Sequence, residues 1–564
     1  MSEQNKNQPL SPTERIKQGS DNLRGTLQQS IANEITGNIA EDDHALVRFH
    51  GMYLQDDRDR REERAAKKLE RLYSFMIRLR LTAGFITPEQ WVALHHIAGE
   101  NSTGTIKITT RQTIQLHGVL KPYVKPTLKA FNEAALTTIA TCGDINRNVC
   151  TTSNPVASPL HEEVEVLANK IADLLLPKTR GYYEIWLDEE KIADKSQEED
   201  PLYQDRYMPR KFKIGIAIPP VNDVDILTND LGLIAIVEGG KIIGYNICVG
   251  GGMSTTHGNP DHYARLASPL AYVENDEAKV LKAVYEVLTI QRDYGNRSDR
   301  KLARLKYTVD RLGLAWWREE LERRSGFAME DPKPFHFTSR RDDYGWAQNH
   351  HGLWYFTMFV ENGRVLDIPE LKMKEALLKI AESGKAAFRF TSSQNLIVAD
   401  IKPEDKAFVE NILESYGLVA HTLRATKLRG NAMACVALNT CALALAEAQR
   451  YMPSLLTKVE GILEKHGLQD EELIMRMTGC PNGCARPYAA EIGFVGTAYG
   501  RYNLHYGGDR LGLRLNKIYK ESLDEAQILA ELDSAFAAFK AERTEGETFG
   551  DFSYRKYIAA AATA

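Results

Sequence analysis

Four of the seven cysteines fall between positions 435 and 484. They form two pairs, Cys435-x5-Cys441 and Cys480-x3-Cys484, with 38 residues between them. Four thiolates can hold a tetrahedral zinc ion or an iron–sulfur cluster. Structural zinc sites favour tighter C-x2-C knuckles, so the looser spacing suits the larger cubane better, though it does not exclude zinc. Pro481-Asn482-Gly483 between the second pair predicts a tight bend after an apolar strand at 474–477. Such a bend can turn backbone N–H groups toward anionic sulfur. Cys441 precedes a predicted helical run over 442–450, whose N-terminus would favour a thiolate.

The second chemistry-bearing set is cationic. Pro209-Arg210-Lys211-Phe212-Lys213 opens a predicted strand, and alternation puts Lys211 and Lys213 on one face with Phe212 on the other. Thr109, Arg111, Thr113 and Gln115 are expected to share one strand face, and Arg78 and Arg80 another. Same-face cations on neighbouring strands repel by about 4 kcal/mol for a pair 4 Å apart at an effective dielectric of 20. A buried pocket of them therefore implies an anionic ligand. Cys142, Cys248, the histidine pairs 95–96 and 350–351, and Trp316-Trp317 read as packing or surface residues.

The elements that must position these residues repeat. Residues 73–81 predict a strand, 87–98 a helix opened by Thr87-Pro88, and 105–116 a further strand. The same order returns at 356–360, 372–381 and 387–398. Ile108 to Ile114 align with Phe390 to Leu396 at an offset of 282, half the chain. Arg147 to Asn154 pair with Ala432 to Asn439, which sets Cys150 opposite Cys435. Leu231 to Ile234 with Gly250-Gly251-Gly252 match Ile492 to Val495 with Gly507-Gly508. Four matches in one order indicate an internal duplication. One half has the metal-ligating thiols and the other most of the cations.

The expected fold class is α/β with mixed sheets, two pseudo-twofold halves and the site between them. The expected organisation is an arm over 1–65, a small ferredoxin-like half-domain over 66–145 and a large domain over 146–345. The pattern repeats as a small half-domain over 346–425 and a large one over 426–564. Segment 56–70 is almost wholly charged and reads as a solvated helix or tail. Composition agrees with a globular chain: 564 residues, 43% hydrophobic, 26% charged, net charge −5. That balance argues against bulk nucleic-acid binding. No apolar run approaches the ~18 residues of a membrane span, and no secretory signal is visible, so a reducing, cytoplasmic setting is expected.

Taken together, the cysteine spacing, Thr110-Arg111-Gln112-Thr113, Asn146-Arg147-Asn148 and Pro209-Arg210-Lys211-Phe212-Lys213 resemble the sulfite/nitrite reductase family from about residue 40 to Gly550-Asp551-Phe552. The chain departs from the family pattern at Ala442, where proline is usual, and at Thr82-Ala83-Gly84 in place of Pro-Gly-Gly; neither removes a ligand or a charge. The resemblance implies an oxidoreductase that reduces sulfite to sulfide by six electrons, in assimilatory sulfur metabolism and cysteine biosynthesis. It implies a [4Fe–4S] cluster on Cys435, Cys441, Cys480 and Cys484, with Cys484 also axial to a sirohaem iron. It places Arg78, Arg147, Lys211 and Lys213 around the substrate. It assigns Lys107, Thr109, Arg111, Gln115, Asn296, Arg297 and Asn482 to cofactor contacts, since sirohaem has eight carboxylates to satisfy. No G-x-G-x-x-G lies between a strand and a helix, so electrons come from elsewhere. The family implies a separate NADPH-oxidising flavoprotein (FAD/FMN) alpha subunit, with the arm taking part in docking. The alternatives are a ferredoxin-dependent sulfite or nitrite reductase and, from another class, a zinc-stabilised binding module. Lys213 speaks against nitrite, because the family's nitrite reductases tend to have Asn there.

Overall fold

A computed structural model describes residues 9–152, 157–178, 184–187, 190–194 and 199–560. Residues 1–8 of the expected arm and the Ser153-Asn154 end of one repeat lie outside these. Four five-stranded sheets carry the architecture. The first small sheet runs Met52–Asp56, Tyr73–Arg78, Ile114–Val119, Ile106–Ile108 and then Arg364–Val365, all antiparallel. Its counterpart runs Gly345–Gln348, Trp354–Met358, Leu396–Ile401, Ala387–Phe390 and then Phe85–Ile86. Each half thus lends its short strand to the sheet of the other. The exchange closes one edge of each sheet, which would otherwise expose unpaired backbone groups.

The crossover is set by paired turns. Ala83 and Asn362 take left-handed φ of 53° and 51°, each followed by a glycine. A Cβ on Gly84 would stand 2.6 Å from the Phe390 carbonyl, and one on Gly363 2.4 Å from that of Ile108. Only glycine fits such contacts, and Phe390 and Ile108 are themselves equivalent positions. Behind the sheets lies one shared core. Trp91, on the helix Pro88–Asn101 capped by Thr87, packs against Phe388 of the other half with ring centroids 4.7 Å apart.

The long 105–116 strand expected from the sequence is a hairpin. Ile106–Ile108 and Ile114–Val119 pair across a turn in which Thr109 N donates to the Thr113 carbonyl at 2.8 Å. Gln112 takes φ +53° there, so Thr109, Arg111 and Thr113 do not share a strand face. The equivalent hairpin, Ala387–Phe390 with Leu396–Ile401, turns at Gln394 with φ +71°.

The two large sheets match strand for strand. Cys150–Thr151, Ile214–Ala217 and Leu231–Glu238 are parallel, followed by antiparallel Lys241–Val249 and Ser268–Glu274. Met433–Ala434, Met475–Thr478, Ile492–Ala498, Arg501–Tyr506 and Lys517–Leu523 repeat the pattern. The parallel first pair of each needs a crossover, supplied by the helices Pro159–Leu174 and Met452–Lys465. Ladder register sets Cys150 opposite Gly215 and Met433 opposite Arg476. Because Ile214 and Met475 hold the same place against their next strands, Cys150 corresponds to Met433, not to Cys435.

The described part of the expected arm is packed on the body. Met52–Asp56 is the edge strand of the first sheet. The helix Pro12–Gly19, capped by Ser11, buries Glu14 and Lys17. Lys17 Nζ donates to the Met208 carbonyl at 2.9 Å and lies 3.5 Å from Asp144.

The halves are pinned by one buried carboxylate. Asp225, from the first half, pairs with Arg476 at 2.6 Å and Arg486 at 2.5 Å from the second, and with Arg340 at 3.1 Å from the connecting segment. Burial alone would raise its pKa, but the three guanidiniums hold it well below the ordinary carboxylate range. Asp225→Asn would leave three buried cations without their counter-charge. Loss of at least about 3 kcal/mol is expected, read as a lower urea midpoint for unfolding.

Candidate functional site

A cleft opens where the two halves meet, lined by Arg111, Lys211, Lys213, Asn482 and Cys484, with Cys150, Asn229, Arg304 and Arg486 beside them. Each element delivers its residue for a local reason. The Thr109–Thr113 turn projects Arg111 because Gln112 anchors the turn from behind: its side chain donates to the Thr151 carbonyl at 2.6 Å and accepts from Thr151 N at 3.1 Å. Arg111 then donates to Asn229 Oδ1 and the Ile214 carbonyl, each at 2.7 Å. Thr109 Oγ1 accepts from Arg111 N at 3.2 Å.

Lys211 and Lys213 precede the strand Ile214–Ala217. Phe212 between them is 1% exposed and faces the core, so both lysines face the cleft, as alternation requires. Lys213 N donates to Asp230 at 3.0 Å, and the same carboxylate takes Arg304 through two bonds of 3.0 and 2.8 Å. Burial, then Arg111 and Arg304, push Lys213 down to about 7. Burial, then Lys213 and Arg210, lower Lys211 far below the ordinary lysine range.

The four cysteines face one another at the second-half wall. The expected helix after Cys441 is absent: residues 442–451 are turns, and helix begins at Met452. Four alanines and two leucines there invite a helical assignment, yet the Leu445 and Ala446 N–H groups are drawn to the Gly479 carbonyl at 2.7 and 3.1 Å. Cys441 is served by the N–H groups of Leu443 and Ala444 instead. Gly479 N donates to Cys435 Sγ at 3.4 Å, and Asn482 Nδ2 to Cys480 Sγ at 3.5 Å. Burial, reinforced by Cys484, pushes the Cys441 thiol up to about 12 and raises Cys435 and Cys480 as well. A metal that takes the proton's place offsets that penalty.

The sulfurs do not close on one point as they would around a single zinc ion. Ligand sulfurs around one tetrahedral zinc stand about 3.8 Å apart, from Zn–S of ~2.3 Å. No three of the four sulfurs come within 4.8 Å of one another, although all four interact electrostatically. Thr110 Oγ1 fixes the loop by donating to the Cys484 carbonyl at 3.1 Å, and Arg486 NH1 donates to the Thr110 carbonyl at 3.0 Å.

The remaining expected residues fall into three places. Arg78 and Arg147 converge on the Thr141 carbonyl at 3.1 and 2.8 Å; Arg147 also caps Gly143, and Arg78 reaches Cys142 Sγ at 3.3 Å. They form a second cationic pair, outside the residues that line the cleft, with Tyr53 next to both. Gln115, its amide nitrogen toward His117 Nε2 at 3.2 Å, accepts from Arg78 Nε at 3.0 Å. Lys107 reaches the Asn362 carbonyl and faces Cys435; burial lowers it to about 7. His117 was not anticipated. Its signal was legible, because it continues the strand alternation of Gln115. Burial, then Lys107 and Arg78, push it down to about 3.

Asn296 and Arg297 stand apart from the cleft lining. Asn296 Oδ1 accepts from Ser298 and Asp299 N–H groups in a local turn, each at 2.9 Å. Arg297 is spent on Glu14 of the N-terminal helix at 2.6 Å and on the Tyr207 carbonyl at 2.7 Å. Neither faces the cleft. Arg80 also leaves the site, pairing with Asp173 at 2.8 Å.

Comparison with known proteins agrees with this geometry. The family model "Nitrite/Sulfite reductase ferredoxin-like half domain" matches twice, over residues 68–134 and 347–416, and "Nitrite and sulphite reductase 4Fe-4S domain" matches 167–329. The chain belongs to the nitrite/sulfite reductase family. Among curated relatives, the "Sulfite reductase [NADPH] hemoprotein beta-component" of Leptospira biflexa is 59% identical over 96% of this chain and 97% of its own length. The protein of the same name from Geobacillus thermodenitrificans is 51% identical over 98% and 96%. The solved Mycobacterium tuberculosis NirA protein superposes with a TM-score of 0.78 at 25% identity, over 97% of this chain and 96% of that one.

The Lys213 shift has a signed consequence. Between about pH 7 and its ordinary value of 10.5, the unfolded chain holds a proton on this lysine that the folded, cofactor-free chain lacks. Stability therefore rises with pH across that window. The thermal midpoint of cofactor-free protein should climb less steeply with pH in Lys213→Met than in the parent; equal slopes would mean the lysine stays charged.

Proposed function

We propose that this chain is the haemoprotein component of an assimilatory NADPH-dependent sulfite reductase, an oxidoreductase that reduces sulfite to sulfide in cysteine biosynthesis. The observation that carries the reading is a single cleft in which Cys484, one of four clustered cysteines, faces Arg111, Lys211 and Lys213. Cys435, Cys441, Cys480 and Cys484 would hold a [4Fe–4S] cluster, and Cys484 would also ligate the sirohaem iron. When bound, these groups supply single electrons and an iron position open to substrate.

The residues of the chain supply charge, orientation and protons. Sulfite, six electrons and eight protons give hydrogen sulfide and three waters. Arg111 is oriented for tetrapyrrole carboxylates by Asn229 and the Ile214 carbonyl. Lys107, Thr109, Gln115 and Asn482 are proposed to join it, and His117 is added by its place between Gln115 and Gln55. Arg78 and Arg147 remain cationic throughout and draw the dianion inward. Lys211 and Lys213 are proposed proton donors to the sulfite oxygens. Their ammonium protons are made labile by burial among like charges. Asp230 holds the Lys213 backbone so that its side chain stays aimed at the cleft.

The chain shows no nicotinamide or flavin motif, so the proposed donor is a flavoprotein alpha subunit that oxidises NADPH. Among the described residues no helix is long and apolar enough to cross a membrane; a cytoplasmic location is proposed.

The test is turnover with reduced methyl viologen, which bypasses the natural donor. Sulfite should be reduced, and faster than nitrite; faster nitrite turnover would favour the nitrite reductase alternative. Lys213→Met should lower sulfite kcat by about 100-fold with the visible spectrum of the tetrapyrrole retained. A colourless, zinc-containing preparation would overturn the assignment.

A further inference from the structure

A second cluster of metal-ligating side chains lies at the seam between the halves, away from the cleft. Glu162 stands in the first turn of the helix Pro159–Leu174 of the first half. His350 and His351 occupy the turn between the strands Gly345–Gln348 and Trp354–Met358 of the second. Each histidine turns its Nε2 to a different oxygen of the one carboxylate. His350 Nε2 is 3.3 Å from Glu162 Oε2, and His351 Nε2 contacts Oε1. Among the described residues this is the only trio of His, Cys, Asp or Glu ligand atoms all within 4.8 Å of one another.

The spacing is that of ligands around one small ion. Two ligand atoms each ~2.05 Å from a tetrahedral centre stand about 3.3 Å apart, the distance between His350 and Glu162. The donors are also held in place without an ion. The Asn349 side chain accepts from the N–H groups of His351 and Leu353, both at 3.0 Å, which fixes the turn. The two imidazoles pack with centroids 3.9 Å apart. One turn along the helix, Glu165 accepts from Arg389 at 2.7 Å and ties the helix to the second half. Their side chains are 43%, 21% and 52% exposed for Glu162, His350 and His351, so an ion can enter from solvent and keep water in its open position.

We propose that Glu162, His350 and His351 bind a borderline divalent cation of the zinc class, which clips the first half to the second. Two imidazoles and one carboxylate select such ions over magnesium or calcium, which need mostly oxygen ligands.

The test is calorimetric titration of the tag-free holoenzyme with Zn²⁺, its cysteines already occupied by the cluster. One Zn²⁺ per chain is expected, with a higher thermal midpoint at saturation. Glu162→Gln and His351→Ala should each bind at least about tenfold more weakly, and the double change His350→Ala, His351→Ala should abolish uptake. Sulfite turnover and the visible spectrum should be unchanged in all three, which reports that they are folded. No uptake by the parent, parental affinity in the double variant or in Glu162→Gln, or equal binding of Mg²⁺ would overturn the proposal.

Discussion

Buried positive charge is the constraint around which this molecule is arranged. Arg111, Lys211, Lys213 and Arg304 share one desolvated cleft, and the neighbouring carboxylate Asp230 is already engaged by Arg304 and the Lys213 backbone. Such a group is costly in the absence of anions, and the cost shows as lysines driven toward neutrality. The same property makes the cleft a strong receptor for polyanions. A tetrapyrrole with many carboxylates, thiolate-bound iron and a small oxyanion each contribute negative charge where the protein withholds it. Stability and the proposed function therefore meet at one place: the groups whose burial is costly are those proposed to bind the ligands.

Duplication explains how one chain builds such a site. The halves keep the same strand order but divide the chemistry, so that thiols from one sheet and cations from the other face across the pseudo-twofold axis. This works only if the halves cannot drift apart. Exchanged strands, a common core and the Asp225 hub with Arg340, Arg476 and Arg486 provide that. Arg486 makes the link direct, because it follows Cys484 in sequence, pairs with Asp225 and donates to the Thr110 carbonyl. The salt-bridge hub, the cysteine loop and the Arg111 turn form one continuous unit.

Much of this was legible in the sequence, and the failures have physical causes. The cysteine spacing, the repeat and the paired lysines are local or periodic signals, and such signals survive without coordinates. The β-branched residues of Thr109–Thr113 favour strand, whereas the positive φ of Gln112 makes the segment a turn. The run after Cys441 has high helix propensity, yet the Gly479 carbonyl captures its N–H groups. The partners of Asn296 and Arg297 come from a local turn and from Glu14, 283 positions away. Long-range pairing of that kind leaves no trace in spacing. Nor could spacing reveal that His350 and His351 meet Glu162 across the seam.

The N-terminal segment shows how far such pairing reaches. Lys17 holds the Met208 carbonyl immediately before the segment of Lys211 and Lys213. It also faces Asp144, which takes Arg300 at 2.7 Å and lies 3.9 Å from Arg210. Burial would raise the Asp144 carboxyl, but Arg300 and Lys17 keep it ionised. Main-chain bonds complete the frame: Met208 N to the Asp144 carbonyl and Phe212 N to the Ile145 carbonyl, both at 3.0 Å, and Arg147 N to the Phe212 carbonyl at 2.8 Å. The segments of Arg147 and of Lys211 and Lys213 are thus laced together, and the N-terminal helix is bonded to the lacing. A segment whose composition suggests a mere appendage is, over its described residues, part of the scaffold that sets the charge and aim of the cleft lysines.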